Sequence, residues 1–251
     1  MIKIDNGIIV KLDKITGILF YALEYYIYLK ENDLNFKLFF ELPESIHNTF
    51  REIIKYKYKE KYIRLFDFTL VKKLPKLYCK NLLVLDYSTF RYLSKDIIYK
   101  KCFYNYTNEE KSFLFEFKEF SSLKNIITFG DVNMGVKTIN DYPLFLNFKM
   151  FKKIKIKKYL YYENKLKIGK RLDIIIDFHS SFDKLHLHRF GFDRANRLIP
   201  ECNYYNKTII VTGSGNRLDS IDLRLNQDIK ELDINNSTFA NFIKDALNET
   251  Y

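Results

Sequence analysis

Residues 81–88 read NLLVLDYS, an unbroken apolar run that ends on an acid and a hydroxyl. A strand wetted on one side alternates apolar with polar residues. A strand buried on both faces need not, and such strands belong to parallel sheets covered by helices. Similar runs end at NIITFGD (125–131) and at DIIIDF (173–178), and TIIVT (208–212) is a fourth. Helical spacing lies between such runs, so the pattern predicts an α/β architecture with a mostly parallel sheet.

The first unit is the most explicit. A short strand at Ile8 to Val10 and the turn DKITG lead into a helix from Gly17 to Glu31, apolar on most faces and stopped by Asn32 and Asp33. FKLFFEL (36–42) is the next buried strand. Ile46, Phe50, Ile53 and Ile54 then recur at helical spacing, and Tyr62 to Leu70 reads as a strand. Further on, RANRLIPECNYY reads as a short helix and residues 236–247 as a closing amphipathic one. No internal repeat is evident. A boundary is expected near 140–150, around the loop INDYP.

At 251 residues, 47% hydrophobic and 17% aromatic, the chain has ample apolar material and one or two domains' worth of length. This excludes a disordered protein. A net charge of +11 and a pI near 9.3 would draw a polyanion such as nucleic acid or an anionic membrane surface. The abundance of Lys, Ile, Asn, Tyr and Phe also fits an AT-rich genome, which raises lysine everywhere. Cys79, Cys102 and Cys202 are widely spaced and form no CxxC, pointing to a reducing compartment without structural zinc. The N-terminus has no signal-peptide pattern, and the longest apolar stretch, Gly17 to Leu29, is too short to span a bilayer and carries Glu24. A cytoplasmic protein with no transmembrane segment is expected.

Three of the four histidines fall in HSSFDKLHLHRFGFDRANRLIPE. His186 and His188 form an HxH pair that could ligate an ion, with Asp183, Asp193 or His179 completing the set. No HExxH or carboxylate-rich repeat accompanies them, and they fit bonds to backbone or phosphate equally well, so no metal ligand is assigned. Arg194, Arg197 and Glu201 are more informative. If Gly191 or Asp193 opens a short helix, its free N–H groups and positive end suit a diphosphate. Arg194 and Arg197, three apart, share a face and offer guanidinium forks to phosphate oxygens. Glu201, four residues further, can accept from ribose hydroxyls. The same spacing also fits an Arg/Glu pair on an exposed amphipathic helix with Leu198 and Ile199 inward.

DFHSSFD followed by GFDRANRLIPECNYYNKTIIV resembles the nucleotide-sugar half of GT-B glycosyltransferases, and RLIPE followed by YYNK is similar to phage-encoded members that glycosylate modified bases in DNA. DKITGILFYALEYYIYLKENDLNFKLFFEL resembles the N-terminal glycine loop and first helix of that fold. The resemblance covers about 40 residues at each end, with one glycine, Gly17, where the family has a pair. It implies two Rossmann-like halves, the C-terminal one trimmed: an acceptor-side domain over 1–145 and a nucleotide-sugar-binding domain over 146–251. It implies a hexosyl- or pentosyltransferase using a nucleotide-diphosphate sugar, of UDP type, with no other cofactor. A divalent metal is compatible with the chemistry but not required, because Arg194 and Arg197 would stabilise the departing diphosphate.

On this reading Thr16 and Gly17 join the donor site, as do the backbone donors of Gly213 and Ser214 in TGSGN. Inverting transfer would need a base at a strand end, for which Asp13, Asp86 and Asp131 are the candidates, each also readable as a turn or cap residue. His179 would bond to sugar or phosphate. The stretch 149–171 holds nine lysines and one arginine against the single acid Glu163. Its Lys152, Lys153, Lys155, Lys157, Lys158 and Tyr161 would grip and stack on DNA carrying a hydroxylated base such as a hydroxymethylpyrimidine. They fit a solvated lysine face as well. Two other functions stay open: a bacterial surface-glycan transferase using these lysines on anionic lipid, and a non-catalytic nucleic-acid-binding α/β protein. Oligomeric state is not legible.

Overall fold

A computed structural model describes residues 1–85, 89, 96–105, 126–129, 137–139, 146–152, 184–188, 201, 204–205, 208–212, 241, 243–245 and 247. Its centre is a seven-stranded sheet: β1 (Ile2–Lys11), β2 (Lys37–Glu41), β3 (Phe68–Val71), β4 (Leu77–Val84), β5 (Ile97–Asn105), β6 (Ile126–Phe129) and β7 (Lys137–Ile139). Every neighbouring pair is parallel, in the order β3-β2-β1-β4-β5-β6-β7. The α/β class with a parallel sheet is therefore correct. A separate parallel pair joins β8 (Lys184–His188) to β9 (Thr208–Thr212), so the HxH histidines lie on a strand.

Helix α1 (Gly17–Glu31) follows β1, and its end shows why the chain turns there. Asp33 adopts φ 60°, the left-handed region in which Asp and Asn are tolerated. Asn32 Nδ2 donates to Tyr28 O at 2.8 Å, and Leu34 N reaches back to Leu29 O at 2.9 Å. Eleven consecutive residues of α1, Leu19 to Leu29, are buried. A helix apolar all round needs cover on every side. On one side it packs against Ile8, Val10, Leu38, Phe40 and Leu83 of the sheet. The same core takes in Leu146, Phe148, Met150 and Phe151, just past the boundary expected at 145, together with Ile243 from the C-terminal region. The other face of the sheet buries a smaller cluster that includes Ile9, Phe39, Leu82, Val84, Cys102 and Tyr104.

Two expectations are corrected. The segment Tyr62–Leu70 is not one strand. A short helix α3 (Glu60–Ile63) follows α2 (His47–Lys57), and β3 begins only at Phe68. Lys59 in extended conformation, with Glu60 in the first turn after it, restarts the helix where Tyr and Ile alone would favour a strand. β1 is also longer than its apolar part, running from Ile2 through exposed Lys3 and Asp5, because Ile2 and Lys3 pair with β4.

Candidate functional site

In a sheet ordered 3-2-1-4-5, the connections from β1 and from β4 leave in opposite directions, and a crevice opens beyond their carboxyl ends. By that rule the switch point of this sheet lies beyond Lys11 and Val84. Its floor is well tied. Leu12 N donates to Glu41 O at 3.1 Å, Lys11 Nζ meets Glu41 Oε1 at 2.7 Å, and the second oxygen of Glu41 accepts from Leu74 N at 2.9 Å. Across the switch point, Lys11 N donates to Thr89 Oγ1 at 2.8 Å, joining the end of β1 to the segment after β4. Thr89 is wholly buried.

From this floor the β1–α1 loop rises to the start of α1. Thr16 is the N-cap, extended at φ −133° and ψ 172°, yet its side chain makes no capping hydrogen bond. Its Oγ1 is buried and has no partner among the described residues. No acid occupies the first turn of α1, so nothing of the helix's own offsets its positive end, while Lys30 complements the other end. Gly17 and Asp13 are exposed beside it. An open helix N-terminus, an unused hydroxyl and an exposed carboxylate thus stand at the carboxyl edge of the sheet. That set can hold an anion and, next to it, accept a proton.

The other expected residues divide sharply. Asp86, Asp131, His179, Arg194, Arg197, Gly213, Ser214, Lys153, Lys155, Lys157, Lys158 and Tyr161 lie outside the described residues. Lys152 is described. Its Nζ donates to Lys55 O and its backbone N to Lys57 O at 3.0 Å, so it caps the C-terminal turn of α2. Glu201 is 3% exposed, and Lys57 Nζ lies 2.7 Å from its Oε2. Lys57 in turn sits over the rings of Phe20 at 5.1 Å and Phe151 at 4.8 Å. Glu201 therefore looks into the protein, with a charged partner already in place.

Sequence reasoning missed the network around that pair. Glu24, fully buried in α1, accepts Tyr58 Oη at 2.7 Å on one oxygen and Asn147 N at 3.1 Å on the other. Tyr205 Oη donates to Lys152 O at 3.0 Å. Burial first, then the nearby Glu201, Tyr204, Glu24 and Tyr56, push its phenol far above the usual range. Tyr204 stacks on Phe148 at 4.9 Å. The one available signal was Glu24 itself, an acid inside an otherwise apolar helix. Its partners come from residues 34 and 123 positions away, which no spacing rule reaches.

Among the described residues no group of three or more His, Cys, Asp and Glu side chains is gathered as a metal site. No described helix is long and apolar enough to cross a membrane. Comparison with family models, curated proteins and solved structures returned no match for this chain.

Proposed function

We propose that the crevice beyond β1 and β4 receives the diphosphate of a nucleotide sugar, and that the protein is a glycosyltransferase acting on a hydroxyl acceptor. The observation that carries the proposal is the start of α1, where the topological switch point, a first turn without an acid and a Thr16 hydroxyl with no partner among the described residues coincide. The sugar-nucleotide identity of the anion comes from the GT-B-like pattern of residues 191–211. In this reading the backbone N–H groups at Gly17 and the Thr16 hydroxyl bind phosphate oxygens. Arg194 and Arg197 stabilise the charge that develops on the leaving diphosphate. Asp13, exposed at the edge of the crevice, takes the proton of the acceptor hydroxyl. The acceptor is a hydroxylated base in DNA, and the two halves are GT-B-like, the second one trimmed.

Glu201 takes a different part from the one its spacing suggested. Held by Lys57 at the end of α2, its carboxylate is already engaged, which leaves the ribose contact to other groups.

The test is a thermal-shift and hydrolysis panel of UDP, GDP and CMP sugars. At least one donor should raise the melting temperature and be slowly hydrolysed, and Arg197→Ala should abolish both effects without lowering the unliganded melting temperature. An unchanged melting temperature with every donor would count decisively against a nucleotide-sugar enzyme.

A further inference from the structure

The far end of the sheet from the crevice carries an irregularity shared by three strands. One face of the sheet takes Ile4, Cys79 and Tyr99 in a single row, and three residues on it takes Gly7, Leu82 and Cys102. Regular alternation returns to a face every second residue, so β1, β4 and β5 each carry one extra residue at the same level, within 5–6, 80–81 and 100–101. Because all three strands share it, the register survives: Asn6 still pairs with Asn81 and Asn81 with Lys101. Asn81 Nδ2 donates to Asn6 Oδ1 at 2.9 Å, and Asn6 Nδ2 to Asn35 O at 3.2 Å. A Cβ on Gly7 would come within 2.8 Å of the Ile4 Cδ1 methyl, so a larger residue there would require that methyl to shift.

The consequence is an exposed basic platform on the face that α1 covers only further along. Lys3, Tyr78 and Ile98 form one row, with Lys3 exposed, Tyr78 half-buried and Ile98 50% exposed. At the next level stand exposed Lys80 and Lys100 on neighbouring strands, with Lys101 lying over the Phe103 ring at 5.4 Å. Adjacent parallel strands are about 4.8 Å apart, and like charges side by side on them are destabilising. Asp5 is the one acid at this level, and among the described residues it makes no ion pair with either lysine. A polyanion would relieve that repulsion, and the exposed part of the Tyr78 ring, set between Lys3 and Ile98, offers a base a surface to stack on.

We infer that this platform, Lys3, Lys80, Lys100 and Lys101 around Tyr78, docks a single-stranded nucleic acid, with lysines on phosphates and the tyrosine against a base. It is distinct from the lysines of 152–158 and independent of the crevice chemistry, since the platform binds whether or not a sugar is transferred.

The test is fluorescence anisotropy with a labelled oligothymidine at 50 and 200 mM salt. Four phosphate contacts on a single strand give a log–log salt slope of about −3, an affinity loss of about 50-fold across that range. Lys80→Glu with Lys100→Glu should weaken binding at least tenfold at 50 mM and flatten the slope by about 1.5. Lys72→Glu with Lys73→Glu, the same charge change on exposed residues just beyond β3, should cost less than threefold. Tyr78→Leu should weaken binding about tenfold while leaving the slope unchanged. All of these side chains are exposed or half-exposed, and circular dichroism of each variant checks the fold. The inference is overturned by equal losses in the two double variants, which would mean bulk charge alone. Tight binding to phosphatidylserine vesicles with none to the oligonucleotide would overturn it too, as would no binding of either.

Discussion

Helix α1 carries two polar groups that were treated very differently. At its start, the Thr16 hydroxyl is buried and without a partner among the described residues; two turns on, Glu24 is buried and bonded on both oxygens. A folded chain satisfies buried polar groups wherever it can, so a fully bonded acid reports on architecture, whereas the hydroxyl left unbonded among the described residues at the start of the helix is where the donor is proposed to bind. Glu24, with Lys57 and Glu201, holds together parts of the chain more than a hundred residues apart. The Thr16 side chain makes no capping bond. Substitutions at the two places should therefore separate stability from binding.

The largest effect is expected at Lys57. Lys57→Met would remove the cation beside the buried Glu201 carboxylate and cost about 3–5 kcal/mol of stability. Lys57→Met with Glu201→Leu should recover most of it, measured by urea unfolding, because a well-packed apolar pair often replaces a buried ion pair at little cost. If the double variant is as unstable as the single one, the pair does more than neutralise itself. Glu24→Ala comes next, at about 2–4 kcal/mol, since it removes the buried carboxylate that accepts from the Tyr58 hydroxyl and the Asn147 N–H.

Alkaline pH probes the opposite face of the sheet. Burial pushes the Cys79 thiol up to about 11 and Tyr99 to about 12, and raises Cys102 further. These groups stay protonated in the folded chain while the unfolded chain begins to release protons near pH 8.5. Stability from this source is therefore complete below pH 8.5 and falls as pH rises toward 11. The melting temperature should drop steadily between pH 8.5 and 10.5, and Cys79→Ala with Cys102→Ala should flatten that decline even though the starting value is lower. An equally steep decline in the double variant would place its origin elsewhere. The smallest effect on stability belongs to Thr16→Val, within about 0.5 kcal/mol, since no capping bond is lost.

Much of the sheet was legible because several of its strands carry long apolar runs: β2 and β6 fall within the runs singled out, as β9 does in the separate pair, and β4 shares its second half, residues 81–84, with NLLVLDYS. β5 escaped notice for a reason the structure supplies. Its IIYKKCFYN sequence places two lysines where the shared irregularity turns side chains outward, breaking the apolar run. At the start of α1 the loop was readable, since a strand, a turn with Thr16 and Gly17 and a helix follow in immediate succession. The joint was not, because Lys57 and Glu201 meet across 144 residues and each looks locally like an ordinary surface charge. Glu201 shows the limit of spacing arguments: three- and four-residue intervals group side chains on one face and leave open whether that face meets solvent or the core.

The most direct measurement is calorimetric titration of UDP, then GDP and CMP, into the unmodified protein and into Thr16→Val. One nucleotide should bind the unmodified protein, and the variant, with an unchanged melting temperature, should bind it about tenfold more weakly, as loss of one hydrogen bond to a charged phosphate implies. No binding by any of the three, or equal binding by the two proteins, would contradict the proposed donor site.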